Sequence, residues 1–306
     1  MTRTGKFMAC NLVGALSLVE HPLHNPQIEN ICFMWQLGQM STEAASTLIS
    51  NTLSTMLYES IIGRHLNTRL SDNSSIYNSP KLSEIIKRTA SPDGQAAVDA
   101  FISAKSIPLV CTHDALPSAD LLFDIVPGLK FLHVVRHPVD VIDSWHRRQW
   151  GTRFGSDPLA FTVVSSTPSG RCPWWAVDWH ADFFSLTNPI DRCIRGVLTI
   201  SNIYRERISL LSPARQSLIK TITFEGLVTD PAKELGSIGD FLGTDIHEKY
   251  SGVFGRERVP RTLPIAARRA KVKQFQKIGA APNFLAELEA ASRDFERTHG
   301  LTESAF

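Results

Sequence analysis

Three short stretches carry residue types suited to holding an anion and moving a proton. In the first, Arg136-His-Pro138 follows an apolar run, Phe131 to Val135, interrupted only by His133. A guanidinium at the carboxyl end of a strand, beside a helix N-terminus, suits a phosphate through charge, donor geometry and helix dipole. In the second, Arg3-Thr-Gly-Lys6 precedes a segment with helical apolar spacing that begins at Phe7. Gly5 would let backbone N–H groups approach an anion, and the helix dipole would add to the attraction. In the third, Thr112-His113 ends the run that starts at Ile107. A histidine titrating near neutral pH at a strand's mouth is a physically sensible base for an acceptor hydroxyl. The structural alternatives are an arginine that caps a neighbouring helix, an exposed serine and a hydrogen-bonded histidine.

The elements that must position these residues follow from spacing. Phe131 to Val135, with paired valines, reads as a buried strand of a parallel sheet. Pro138 suits the first helical position, and Val141, Ile142 and Trp145 give that helix an apolar face. Ser144 lies about two turns in, on a different side. Residues 42–62 read as a helix capped by Ser41 or Thr42. Residues 61–79 read as a solvated polar loop. Residues 80–105 read as two helices broken near Ser91 to Gly94, with Ser91-Pro92 as the second start. Trp150 to Arg171, rich in Gly, Ser, Thr and Pro, reads as a long loop or mobile lid. Trp174, Trp175 and Trp179 follow. They are either stacking faces for an acceptor or core residues. Asp191 to Leu211 reads as a helix and Ser217 to Glu225 as a strand. A further helix runs from Pro231 to Leu242 and ends at Gly243, and Pro282 opens a closing helix.

An ATP-type loop needs Gly-x-x-x-x-Gly-Lys-Ser/Thr, whose hydroxyl holds Mg²⁺. Here Gly5-Lys6 is followed by Phe7, which disfavours a Mg²⁺-ATP kinase relative to metal-free anion transfer.

The segment Val134 to Ser144 resembles the 3′-phosphate-binding segment of sulfotransferases that use 3′-phosphoadenosine 5′-phosphosulfate (PAPS). In that family an Arg and the Ser eight residues later bind the 3′-phosphate, and Arg136 and Ser144 match both. Arg3, Thr4 and Gly5 match the family's 5′-phosphosulfate loop, often Arg-Ser-Gly-Thr-Thr. Lys6 and Phe7 replace its two hydroxyl residues, and Lys6 could supply charge instead. Thr112 and His113 resemble the family's Lys-Thr-His-Leu-Pro strand end, where the His is the catalytic base; Cys111 replaces the Lys and Asp114-Ala115 are inserted. Phe224 to Gly243 resembles the family's Tyr-Glu-Asp-Leu…Pro…Phe-Leu-Gly block, with Glu225 satisfying nearby backbone. The family also places a basic loop over the 3′-phosphate. The basic run Arg256 to Lys277 supplies Arg268 and Arg269 as candidates, with a solvated basic face as the alternative.

The resemblance implies an α/β fold, a P-loop-type parallel β-sheet flanked by helices, as a single domain over residues 1–306. The strand that should lead into the Arg3 loop is expected to be missing, through truncation or loss. It implies sulfuryl transfer from PAPS to a hydroxyl or amine of a carbohydrate or small-molecule acceptor, without metal. His113, Arg3 and Lys6 would be catalytic, and Arg3, Thr4, Gly5, Lys6, Arg136, Ser144, Arg268 and Arg269 would bind the nucleotide. The alternative is a non-catalytic or truncated nucleotide-binding relative.

Composition narrows the classes further. Of 306 residues, 43% are hydrophobic and 20% charged, as in ordinary globular proteins. A net charge of only +2 argues against a broad nucleic-acid surface, so any anion site must be local. Five scattered cysteines without metal-type spacing suggest reduced thiols and a cytoplasmic location. One sequon at Asn73 and a basic, then apolar, N-terminus point the other way. Asn11 interrupts that apolar stretch, and Val19-Glu-His-Pro is a poor cleavage site. No run reaches membrane-spanning length.

Overall fold

The computed structural model describes residues 1–156, 163–301 and 304–306. Its strands are β1 (Leu23–His24), β2 (Val110–Cys111), β3 (Phe131–Val135), β4 (Val164–Thr167), β5 (Gly170–Pro173) and β6 (Ile219–Thr223). β1 pairs with β2 in parallel, His24 opposite Cys111. β3 pairs with β6 in parallel, from Phe131 opposite Ile219 to Val135 opposite Thr223. β4 and β5 form an antiparallel hairpin. Helices cover the rest of the frame, giving a helix-rich mixed α/β architecture with small parallel sheets.

The expected continuous sheet is therefore a correction: among the described residues it is two separate parallel pairs. β3 is half-buried along its whole length, not buried; β6 covers one edge and, among the described residues, no strand pairs with the other. A small cavity of about 60 Å³ lies between Thr112-His113, beyond β2, and Phe131 to Val134 of β3, with Thr4 and Lys6 on its wall.

The helix Pro138–Arg147 organises the core. His137 caps it: its Nδ1 accepts the Val139 N–H at 3.3 Å, and Pro138 fills the first position. Every residue from Pro138 to Trp145 is buried. The helix packs against Pro189–Leu210, Ile265–Lys277 and Pro282–Thr298. Full burial of a side chain such as Ile142 stabilises by about 1.5–3 kcal/mol, and Val141, Ile142 and Trp145 are buried together on the expected apolar face.

Ser41, not Thr42, caps the helix Thr42–Ile61 by accepting the Ala44 N–H. The second helix of the 80–105 region starts at Gly94 with Asp93 as cap, not at Pro92. Asp93 prevails because its carboxylate accepts the Gln95 N–H at 2.9 Å. The loop expected over Trp150 to Arg171 falls partly outside the described residues. Its described parts are the helix Trp150–Ser156 and the β4–β5 hairpin. Gly243, at φ +79°, ends the helix Pro231–Leu242 as expected. No described helix is long and apolar enough to cross a membrane.

Candidate functional site

The Arg3 loop turns through two left-handed residues, Arg3 at φ +71° and Gly5 at φ +94°. Gly5 is required for space as well as for φ, since a Cβ there would lie 2.3 Å from the Phe224 ring. The chain then enters the helix Lys6–Val13, whose first N–H groups have no partner within the helix.

Tertiary packing draws three of the predicted phosphate ligands together. Arg3 Nε donates to Ser144 Oγ at 3.0 Å, and Arg136 Nη1 donates to the Arg3 carbonyl at 3.3 Å. The Arg136 guanidinium lies over the Phe224 ring, 4.1 Å from its centroid. Burial lowers the pKa values of Arg3, Lys6 and Arg136. Arg148, Arg136 and Arg147 lower that of Arg3 further. Lys6 is only 7% exposed, and its Nζ has no hydrogen-bond partner among the described residues. The same is true of Arg136 Nε. Buried cations are normally paired. Lys6, without a hydrogen-bonded partner at a helix N-terminus, and the half-satisfied Arg136 create a local demand for an anion.

Arg3, Gly5, Lys6, His113 and Arg136 line one cavity of about 600 Å³. Its lining is also aromatic, with Phe33, Trp145, Trp150 and Trp175. Of the three tryptophans singled out from the sequence, Trp175 alone faces this cavity. Trp174 stacks on Phe33 at 4.4 Å and Trp179 packs on Trp175.

His113 lines the same cavity, with the Phe7 ring edge-on at 6.0 Å. Glu29 accepts its backbone N–H, and His113 Nδ1 lies 3.3 Å from Glu29 Oε1. Glu29 was not among the predicted site residues. Its signal was present in Asn25-Pro26, a helix start that places an acid in the first turn of Pro26–Gln36. Arg261 also lines the cavity, so the basic run does contribute, through a different member.

Three predicted residues are corrected. Arg268 is buried and clamped: Nε donates to Asp140 at 2.9 Å and Nη2 to Glu225 at 2.7 Å. Burial alone would raise the Asp140 pKa, but Lys271 and Arg268 hold it below its ordinary value. Arg269 is exposed and donates to the Ser304 carbonyl. Neither lines the cavity. The Thr4 side chain turns inward, 1% exposed, and donates to the Met1 carbonyl at 2.9 Å. The expected role of Glu225 stands: it accepts the His137 N–H at 3.1 Å.

A scan against protein-family models and a search of curated proteins found no match.

Proposed function

We propose that the protein transfers a sulfuryl group from PAPS to a hydroxyl or amine acceptor, carbohydrate or small molecule, as in the P-loop sulfotransferases it resembles. The observation that carries this reading is the shared cavity. It gathers buried Lys6, whose Nζ has no hydrogen-bond partner among the described residues, half-buried Arg136, the Gly5 turn and His113 around one volume large enough for a nucleotide and part of an acceptor. Arg136, Ser144 and Arg3 hold the 3′-phosphate. Lys6 and the N–H groups of the helix Lys6–Val13 hold the 5′ end. With a hydroxyl acceptor, its oxygen forms the new O–S bond while the S–O bond to the 5′-phosphate breaks, its electron pair leaving on the phosphate. His113 takes the acceptor proton, and Glu29 orients the imidazole. Lys6 faces the departing phosphate, where one preorganised donor is worth about 3 kcal/mol, or roughly 10²-fold in rate.

Binding without transfer is the second reading. It is favoured by Phe7 standing where the family has a hydroxyl, and by the bond between Arg3 and Ser144, which already pairs two expected phosphate ligands. Thermal unfolding with 3′-phosphoadenosine 5′-phosphate tests the nucleotide site common to both. Ligand at 100 times its dissociation constant adds about 2.7 kcal/mol, a rise of about 4 °C for a chain of this size. The rise should occur for wild type, be lost in Arg136→Ala and be absent with ADP. No rise in wild type overturns both readings. Sulfate transfer from labelled PAPS to a panel of hydroxyl and amine acceptors then separates them.

A further inference from the structure

We infer that His24, Glu29 and His113 form a binding site for one divalent ion of the zinc class on the wall of the cavity. One ligand atom from each residue lies within 4.8 Å of the others. The fold makes this set from distant sequence. β1 and β2 run in parallel with His24 opposite Cys111, so His24 and His113 emerge at the same carboxyl edge. Asn25 caps and Pro26 starts the next helix at once, which returns Glu29 to that edge in its first turn. The two imidazoles meet edge to face at 5.4 Å.

A hydrogen-bonded His113–Glu29 pair explains two members of the set. His24 is exposed and packs its ring against Phe7 and His113, but that ring makes no hydrogen bond among the described residues. Two imidazoles and a carboxylate are donors that zinc accepts, and three protein ligands leave a coordination position open. Glu29 and His113 line the cavity and His24 lines a second pocket, so the site would lie where the two meet. Lys6 opposes a cation here, while Glu29 and Asp114 oppose Lys6. The consequence for activity rests on the transfer reading. A neutral imidazole bound to metal through one nitrogen carries its proton on the other, so His113 has no lone pair left to act as base. Zinc would then inhibit.

The test is direct zinc binding, measured by competition with a chromophoric chelator, with Mg²⁺ as control and no turnover involved. Wild type should take one zinc and no Mg²⁺. His24→Ala and His113→Ala should each weaken zinc by more than about 10-fold, since loss of even an outer partner of a ligand typically costs 10–100-fold. Lys6→Met should tighten it. The imidazole resonances of His24 and His113 in wild type should move together on adding zinc, a readout that does not depend on either alanine variant folding. Absence of zinc binding, undiminished binding in His24→Ala, or unmoved resonances would each overturn the site. None of these results bears on nucleotide binding.

Discussion

At the scale of single residues, the proposed transfer rests on His113 as its base. It is partly open to the cavity and held by Glu29 from one side. His113→Ala should lower turnover by about 10²–10⁴-fold, the usual weight of a positioned base. The affinity for 3′-phosphoadenosine 5′-phosphate should stay within about twofold, because no phosphate ligand is removed. Steady-state kinetics and nucleotide titration on the same variant check this. Undiminished turnover would remove His113 from the reaction. Glu29→Gln keeps an acceptor oxygen but loses the charge, so it should show a smaller loss of the same kind.

At the scale of elements, the buried ionic cluster joins the helix Pro138–Arg147 to the helices on either side. Arg268 reaches from Ile265–Lys277 to Asp140, and on to Glu225 after β6. Arg268→Ala leaves two buried carboxylates short of a partner, which costs about 3–5 kcal/mol. Arg269→Ala removes one exposed contact and should change stability by less than about 0.5 kcal/mol. Urea midpoints of the two variants separate the roles. Equal midpoints would mean that Arg268 is not the clamp. This pair also shows how far the sequence could be read. Two adjacent arginines in a basic run look equivalent as letters. Helical geometry places one inward against acids from two other segments and the other outward.

At the scale of the whole molecule, acid should weaken the fold through buried neutral histidines. Burial pushes the His133 pKa down to about 3. Burial and then the Arg268 charge also lower that of His137, whose Nδ1 accepts from Val139 while its Nε2 contacts Glu296 at 3.1 Å. An imidazole depressed in the folded state contributes stability above its unfolded pKa of about 6.5 and loses it as pH falls. Each such group adds up to about 1.4 kcal/mol per pH unit to the slope. Stability should therefore fall steadily from pH 6.5 toward 4, and His133→Leu should flatten the slope by about one proton's worth. Urea titrations at pH 7, 5.5 and 4.5 measure it. A flat wild-type profile would mean that both rings protonate freely in the folded state.

What the sequence determined by itself was local. Pro138, Pro231 and Gly243 set helix ends because φ restriction and a left-handed cap act within a few residues. The Gly5 turn and the place of Arg136 at the end of β3 were legible for the same reason. The tertiary structure decided everything that needs a distant partner. It joined Arg3 to Ser144, split the expected sheet into two pairs and clamped Arg268 to Asp140. It also brought Glu29 and His24 to His113. Such contacts depend on which faces share the limited buried volume, and that is settled by packing across more than eighty residues of chain, beyond the reach of any local spacing.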